Sequence, residues 1–306
     1  LLWRNARLKG LLVRVVSGTS LLALVLVAIW LGGLLLMVLV ALAAGLAAHE
    51  FFSMARRGGY APWYPGGVAL SLLLAMRGYI TGDLSTGTAS PQAGYGAEVP
   101  AVIAVALLFL LRQGYVWLRA PVPAGGPHGG TALTGRTAWA DLGLTLAGAL
   151  YTGGLLGYAP LLAARSGDTL GSEGMAWLLM VLLGAAACDT GAYFVGSTLG
   201  RHKLIPHISP GKTWEGLAGG VLGGVIAALA LSGLLHISVP QAVVLGVLVC
   251  VAAVAGDLCE SLLKRAVGVK DSGNLIPGHG GILDRLDSVL FVLLAVYWFA
   301  QIVIRV

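Results

Sequence analysis

At 306 residues, with 58% of them hydrophobic and only 10% charged, the chain falls far below the roughly 25% charge of a soluble globular domain and belongs in lipid. The formal net charge of +6 raises nucleic acid as a partner, yet the positive residues stand singly or in pairs between apolar segments, with no basic run interleaved with aromatics, and nucleic acid is set aside. The three cysteines, Cys188, Cys250 and Cys259, lack CxxC spacing and lie in or beside apolar stretches, which points to free thiols.

A membrane-crossing helix takes about 20 mostly apolar residues. That ruler predicts an all-α polytopic integral membrane protein with about nine spans, near 15–31, 33–52, 64–81, 97–112, 138–163, 174–198, 214–235, 239–259 and 284–304. Arg4, Arg7, Lys9 and Arg14 precede the first run without a small-residue cleavage site, so that run reads as a retained span. Only Trp30-Leu31-Gly32-Gly33 separates the first two spans, which predicts a tight antiparallel hairpin. Most of the 46 glycines read as scaffold, because small residues let helices approach closely in a bilayer.

With nine spans, all but Arg77, Arg165 and Arg305 of the 19 Lys and Arg residues fall on the side of the N-terminus. Positive residues concentrate in cytoplasmic loops, so the N-terminus is expected in the cytoplasm and the C-terminus outside. Two regions follow: an N-terminal membrane region, 1–136, with about four spans and a Pro- and Gly-containing connector around His128, and a C-terminal region, 137–306, with about five spans. Ionisable residues within spans concentrate in the second region. An acid in the hydrocarbon costs roughly 2.5–3.5 kcal/mol on insertion scales and is a functional-site hypothesis by default.

Asp189 lies within an otherwise apolar span and reads as functional, the alternative being a structural hydrogen bond to a neighbouring helix. Ser209-Pro-Gly-Lys-Thr-Trp-Glu215 opens the next span. Its Gly211-Lys212-Thr213 is no P-loop, since the glycine needed five positions earlier is Pro206. It reads as a helix start with Ser209 as N-cap or turn residue, Lys212 as a phosphate-facing cation and Trp214 at the interface. The densest segment is Ser261 to Asp287, with Asp257 one turn upstream. On a helix Asp257, Ser261 and Lys264 share one face, and Asp284 and Asp287 share another. Three carboxylates beside Lys264, Arg265, Lys270 and Arg285 suit a divalent cation with an anionic phosphate between metal and bases. Magnesium fits, binding through one or two carboxylates plus substrate phosphates. The glycines of Pro277-Gly-His-Gly-Gly281 allow backbone N–H groups to approach phosphate. His49-Glu50, followed by Arg56-Arg57, reads as an interface anchor.

The stretch Ser261-x-x-Lys-Arg265, Lys270-Asp271, Pro277-x-His-Gly-Gly281, Asp284-Arg285-x-Asp287 resembles the signature of phosphatidate cytidylyltransferases, or CDP-diacylglycerol synthases. Asp189-Thr-Gly-Ala-Tyr193, Ser209-Pro-Gly-Lys-Thr-Trp-Glu215, Gly256-Asp257-Leu258 and Glu50-Phe-Phe52 are similar to the family too, although Gly211 stands where some members carry a second lysine. The resemblance implies cytidylyl transfer from CTP to phosphatidic acid, giving CDP-diacylglycerol and pyrophosphate. It implies Asp257, Asp284 and Asp287 at magnesium, with carboxylates enough for a second cation. Catalytic roles fall to Lys264, Arg265, Lys270, Asp271, His279, Arg285, Lys212 and Asp189, and substrate contacts to Ser209, Lys212, Thr213, Ser261, Gly278, Gly280 and Gly281.

It further implies a multi-pass protein of the inner membrane, in contact with membrane lipid, and leaves a homodimer open. The site is expected to face the cytoplasm as a polar funnel among the last four spans, with a lateral gap for acyl chains. Two readings compete: a CTP-dependent polyprenol or phytol kinase, against which the full signature argues, and a secondary transporter, against which the absence of an internal repeat argues.

Overall fold

The computed structural model describes residues 2–80, 135–164, 172–276, 278 and 280–304. Helices α1 (Leu2–Leu31), α2 (Gly33–Arg57) and α3 (Tyr64–Ile80) come first, then α4 (Gly135–Ala149), which runs through a π-helical turn, Leu150–Gly154, towards the short α5 (Tyr158–Ala163). They are followed by α6 (Ser172–Leu199), strands β1 (Lys203–Ile205) and β2 (Ser209–Thr213), and helices α7 (Trp214–Leu231), α8 (Val239–Ala266) and α9 (Leu283–Ile304). Among the described residues, seven helical segments are long and apolar enough to cross a membrane, and each coincides with a predicted span. The protein is thus a multi-pass, all-α membrane protein. At the third predicted place, 64–81, stands α3, of 17 residues. The span near 97–112 and the connector as far as residue 134 lie outside the described residues.

The N-terminal hairpin forms as its glycines predict. Gly32 and Gly33 both take positive φ, 58° and 51°, a region that residues with a Cβ rarely enter. Trp30, 73% exposed at the turn, is an amphipathic ring of the type found at membrane interfaces. The hairpin returns Glu50 of α2 to the level of Arg14 of α1, and both meet the 272–283 segment: Arg14 packs on Gly278, and Glu50 on Gly273 and Gly281.

Glycines set the spacing of the last four long helices. A Cβ on Gly191 of α6 would run into the Gly219 carbonyl of α7, one on Gly223 into Ala187, one on Gly246 of α8 into Val225, and one on Gly256 of α8 into the Asp287 carbonyl of α9. Backbones therefore touch at each crossing, and the contact is van der Waals packing, the main attraction available between helices in lipid. The Gly256 crossing matters most for function, because it sets Asp257 beside Asp287.

The segment between α6 and α7 departs from expectation. β1 and β2 pair antiparallel, Lys203 opposite Thr213 and Ile205 opposite Ser209, where the all-helical reading had only a turn. Thr213, not Ser209, caps α7: its backbone is extended and its hydroxyl accepts from the Gly216 N–H at 3.0 Å. Ser209 is drawn into the strand by pairing with Ile205, five residues before the helix begins.

Candidate active site

Three elements converge at one end of the bundle: the β2–α7 junction, the last turns of α8, and the start of α9 with the loop before it. In the first group, Lys212 places Nζ 2.7 Å from Asp257 Oδ2 and donates to the Val254 carbonyl at 3.5 Å. Ser261, one turn on from Asp257, donates to its Oδ1 at 3.2 Å, as their i, i+4 spacing requires. Asp189 on α6 is exposed and lies within electrostatic reach of Asp287, Asp257 and Lys212. Asp287 holds its own position through the Ser288 N–H, 2.6 Å from Oδ1, and feels the charge of Asp257. Lys212, Asp189, Asp257, Ser261 and Asp287 are thus one neighbourhood.

The second group is closed. Lys264 bridges Glu260 Oε2 at 2.9 Å and Asp284 Oδ1 at 2.8 Å. Asp284 also accepts from Ser272 N–H, from Ser272 Oγ at 2.9 Å and from Gly281 N–H at 2.9 Å. The backbone of Ile276 bonds Gly280 across the loop, and Gly278 and Gly280 take φ of 77° and 82°, so the glycines serve a turn here. Gly281 is buried, and a Cβ there would meet Ser272 Oγ and the Glu50 carboxylate. Its smallness therefore makes room for Glu50.

Glu50 is the residue sequence reasoning misplaced. Expected as an interface anchor, it is 2% exposed and crosses from α2 to the start of α9. There it accepts from Ile282 N–H at 3.0 Å, Leu283 N–H at 2.8 Å and Ser272 Oγ at 3.0 Å. It satisfies N–H groups that open a helix, where a negative charge is favoured by the helix dipole. The signal was available, since Glu50 is an acid in a predicted apolar span. Its partner lay more than 200 residues away. Glu260 was also passed over: fully buried, it leaves Oε1 without a hydrogen-bond partner among the described residues and has Asp284 and Asp287 as acidic neighbours. Its i, i+4 spacing to Lys264 was the readable clue.

The three aspartates expected to share a metal are therefore divided. Asp257 and Asp287 lie within electrostatic reach of one another beside the Gly256 crossing, while Asp284 is engaged by Lys264, Ser272 and Gly281. Among the described residues, no three His, Cys, Asp or Glu side chains stand close enough together to hold an ion by themselves. Arg265, Lys270, Asp271 and Arg285 are exposed around the cluster. His279 lies outside the described residues.

The sequence profile of the cytidylyltransferase family matches residues 12–303. The chain belongs to the cytidylyltransferase family. A phosphatidate cytidylyltransferase of Mycobacterium bovis is 32% identical over 254 residues, covering 82% of this chain and 76% of that protein. One from Staphylococcus aureus is 47% identical over 124 residues, covering 40% of this chain and 48% of that protein. An uncharacterised protein, YnbB of Escherichia coli, is 42% identical over 135 residues, covering 44% of this chain and 45% of that protein. Within a cytidylyltransferase, a half-open acidic and basic cluster beside a closed one is the arrangement to be explained by chemistry.

Proposed function

We propose that this cytidylyltransferase transfers the cytidylyl group of CTP to phosphatidic acid, releasing pyrophosphate and forming CDP-diacylglycerol at the cytoplasmic face of the inner membrane. The observation that carries this reading is the half-open cluster Lys212–Asp257–Asp287 at the end of a membrane bundle. Such a site meets a substrate from water and another from the leaflet. The names of the relatives support the same lipid acceptor over a lipid alcohol.

The phosphate monoester of phosphatidic acid is already anionic near neutral pH. One of its oxygens attacks the α-phosphorus of CTP, the bond from that phosphorus to the bridging oxygen breaks, and pyrophosphate leaves with the electron pair. No strong base is needed; the barrier is repulsion between anions, so catalysis is positioning and electrostatics. Lys212 is poised to exchange Asp257 for a phosphate, and Arg265, Lys270 and Arg285 supply positive charge around the rim.

Magnesium, where bound, supplies neutralisation of phosphate charge. Asp257 and Asp287 would hold it. Their oxygen-only chemistry suits that ion, and two carboxylates with substrate phosphates completing the shell is its usual mode of binding. Asp284 serves the architecture of the α9 start.

The test is purified protein in lipid vesicles with labelled CTP and either phosphatidic acid or a polyprenol. CDP-diacylglycerol and pyrophosphate in equal amounts, lost on chelation and restored by magnesium, are expected. Lipid phosphate formed from polyprenol without CDP-lipid would overturn the reading.

A further inference from the structure

A cavity of about 570 Å³ lies beside the charged cluster rather than within it, bounded by the α1–α2 hairpin, α6 and α9. This cavity is lined by Leu, Ile, Val, Ala and Gly, and Arg285 is the one charged side chain among the described residues lining it. Its volume falls within the roughly 300–1,000 Å³ of small-molecule sites, which are mostly apolar with a few placed polar groups.

The shape is as informative as the lining. The wall follows the chain from Ile282, just before α9, to Leu293 of α9, and α1 from Gly18 to Ile29, about three turns of each, or roughly 16 Å at the helical rise. Arg285 stands in the first turn of α9, next to Asp284, at the end where Arg14 and Glu50 meet the signature loop. The far end, at Ile29 and Leu36, borders the Gly32 turn. Only 11% of the Arg14–Leu31 span is buried, so among the described residues the hairpin side is left uncovered. A long apolar slot with a cation at one end complements a flexible hydrocarbon carrying an anion at one end. A nucleotide would leave the polar edges of base and ribose unpaired against leucine.

We infer that this slot takes one acyl chain of the lipid substrate, with the headgroup phosphate at Arg285. The inference rests on the phosphatidate reading above and adds that the N-terminal hairpin, not the four C-terminal helices, measures the chain. Ala43 of α2, which lines the slot, is the position from which its bore can be changed.

Two measurements test this. Ala43→Phe is expected to lower kcat/KM for a dioleoyl acceptor by at least about tenfold while leaving a dihexanoyl acceptor nearly unchanged, since pocket volume discriminates by such factors. Val38→Phe, on the same helix at a 47% exposed position that does not line the slot, is expected to change neither. Equal losses for both acceptors in Ala43→Phe, or none, would overturn the slot.

The second measurement does not depend on turnover. Phosphatidic acid carrying a photoreactive group at one acyl end is bound to the unmodified protein, illuminated, and its attachment mapped. Label at Ile29, Leu36 or Leu293 is expected, reduced by unlabelled phosphatidic acid but not by phosphatidylcholine. Label confined to outward positions such as Leu222 and Ile226 of α7 would overturn the slot. Label in the slot with no CDP-lipid formed would instead overturn the proposed reaction and leave the slot standing.

Discussion

Around Asp284 every carboxylate oxygen is engaged: Lys264 and Ser272 N–H meet one, and Ser272 N–H and Oγ with Gly281 N–H meet the other. Around Asp257, a few turns of helix away, Lys212 and Ser261 take one oxygen each, and the side chain remains 33% exposed. Both acids belong to the same signature, yet one is saturated by the protein and the other retains room for a ligand. A saturated acid can be moved only by breaking several bonds together, which suits it to hold a loop against a helix. An acid with a single cationic partner can trade that partner for substrate or ion.

The comparison breaks most cleanly at the two aspartates themselves. Asp257→Asn is expected to lower kcat by about 10²–10³-fold, the scale of losing one electrostatic contact to a developing charge, with folded yield and thermal midpoint close to those of the parent. Asp284→Asn is expected to lose activity and also about 3 kcal/mol of stability, because it takes one of the two carboxylates from Lys264 and weakens the Ser272 and Gly281 contacts in a site where the carboxylate is only 7% exposed. Thermal melts of the two purified variants in detergent, beside CDP-lipid assays, check this. Equal loss of stability in both would erase the difference between the two acids.

Glu50 extends the saturated region onto another helix. Glu50→Ala is expected to cost about 2 kcal/mol, as the loss of a charged cap at a helix start does. It should also lower kcat about tenfold by letting the α9 start, with Asp284, Arg285 and Asp287, drift from position. Glu50→Gln keeps one acceptor oxygen and is expected to recover most of the rate. A variant that loses stability while keeping the parent kcat would make Glu50 a fastener with no bearing on the reaction.

These residues also mark how far the sequence could be read. Span positions followed from apolar run length, and the hairpin from two adjacent glycines, because both signals are local. The Asp257–Ser261 bond followed from helical spacing. Glu50 and Ser272 could not be joined in that way, since no periodicity connects α2 to a loop more than 200 residues later. The division of the three aspartates was equally hidden. It depends on which way α9 is turned where Gly256 meets the Asp287 backbone, and on Lys264 choosing Glu260 and Asp284. The β1–β2 ribbon was missed because two short strands around Pro206 carry no alternation strong enough to separate from a turn.

The smallest expected effect tests how the open acid's partner is held. Lys212 is the residue before Thr213, whose hydroxyl caps α7 by accepting from Gly216 N–H, and whose backbone pairs with Lys203 across the ribbon. Lys212 is thus aimed by a cap on one side and a strand on the other, with its side chain 21% exposed beside Asp257. Thr213→Ala removes the cap and leaves the strand, so about 1 kcal/mol of stability should be lost. Lys212 should then be less well aimed, raising KM for CTP about threefold with little change in kcat, as expected when binding is weakened equally in ground and transition states. Thr213→Ser retains the hydroxyl and is expected to restore both quantities. A fall in kcat comparable to that of Asp257→Asn would mean that the hydroxyl itself meets the reacting phosphates, and the open half of the site would then include the first turn of α7.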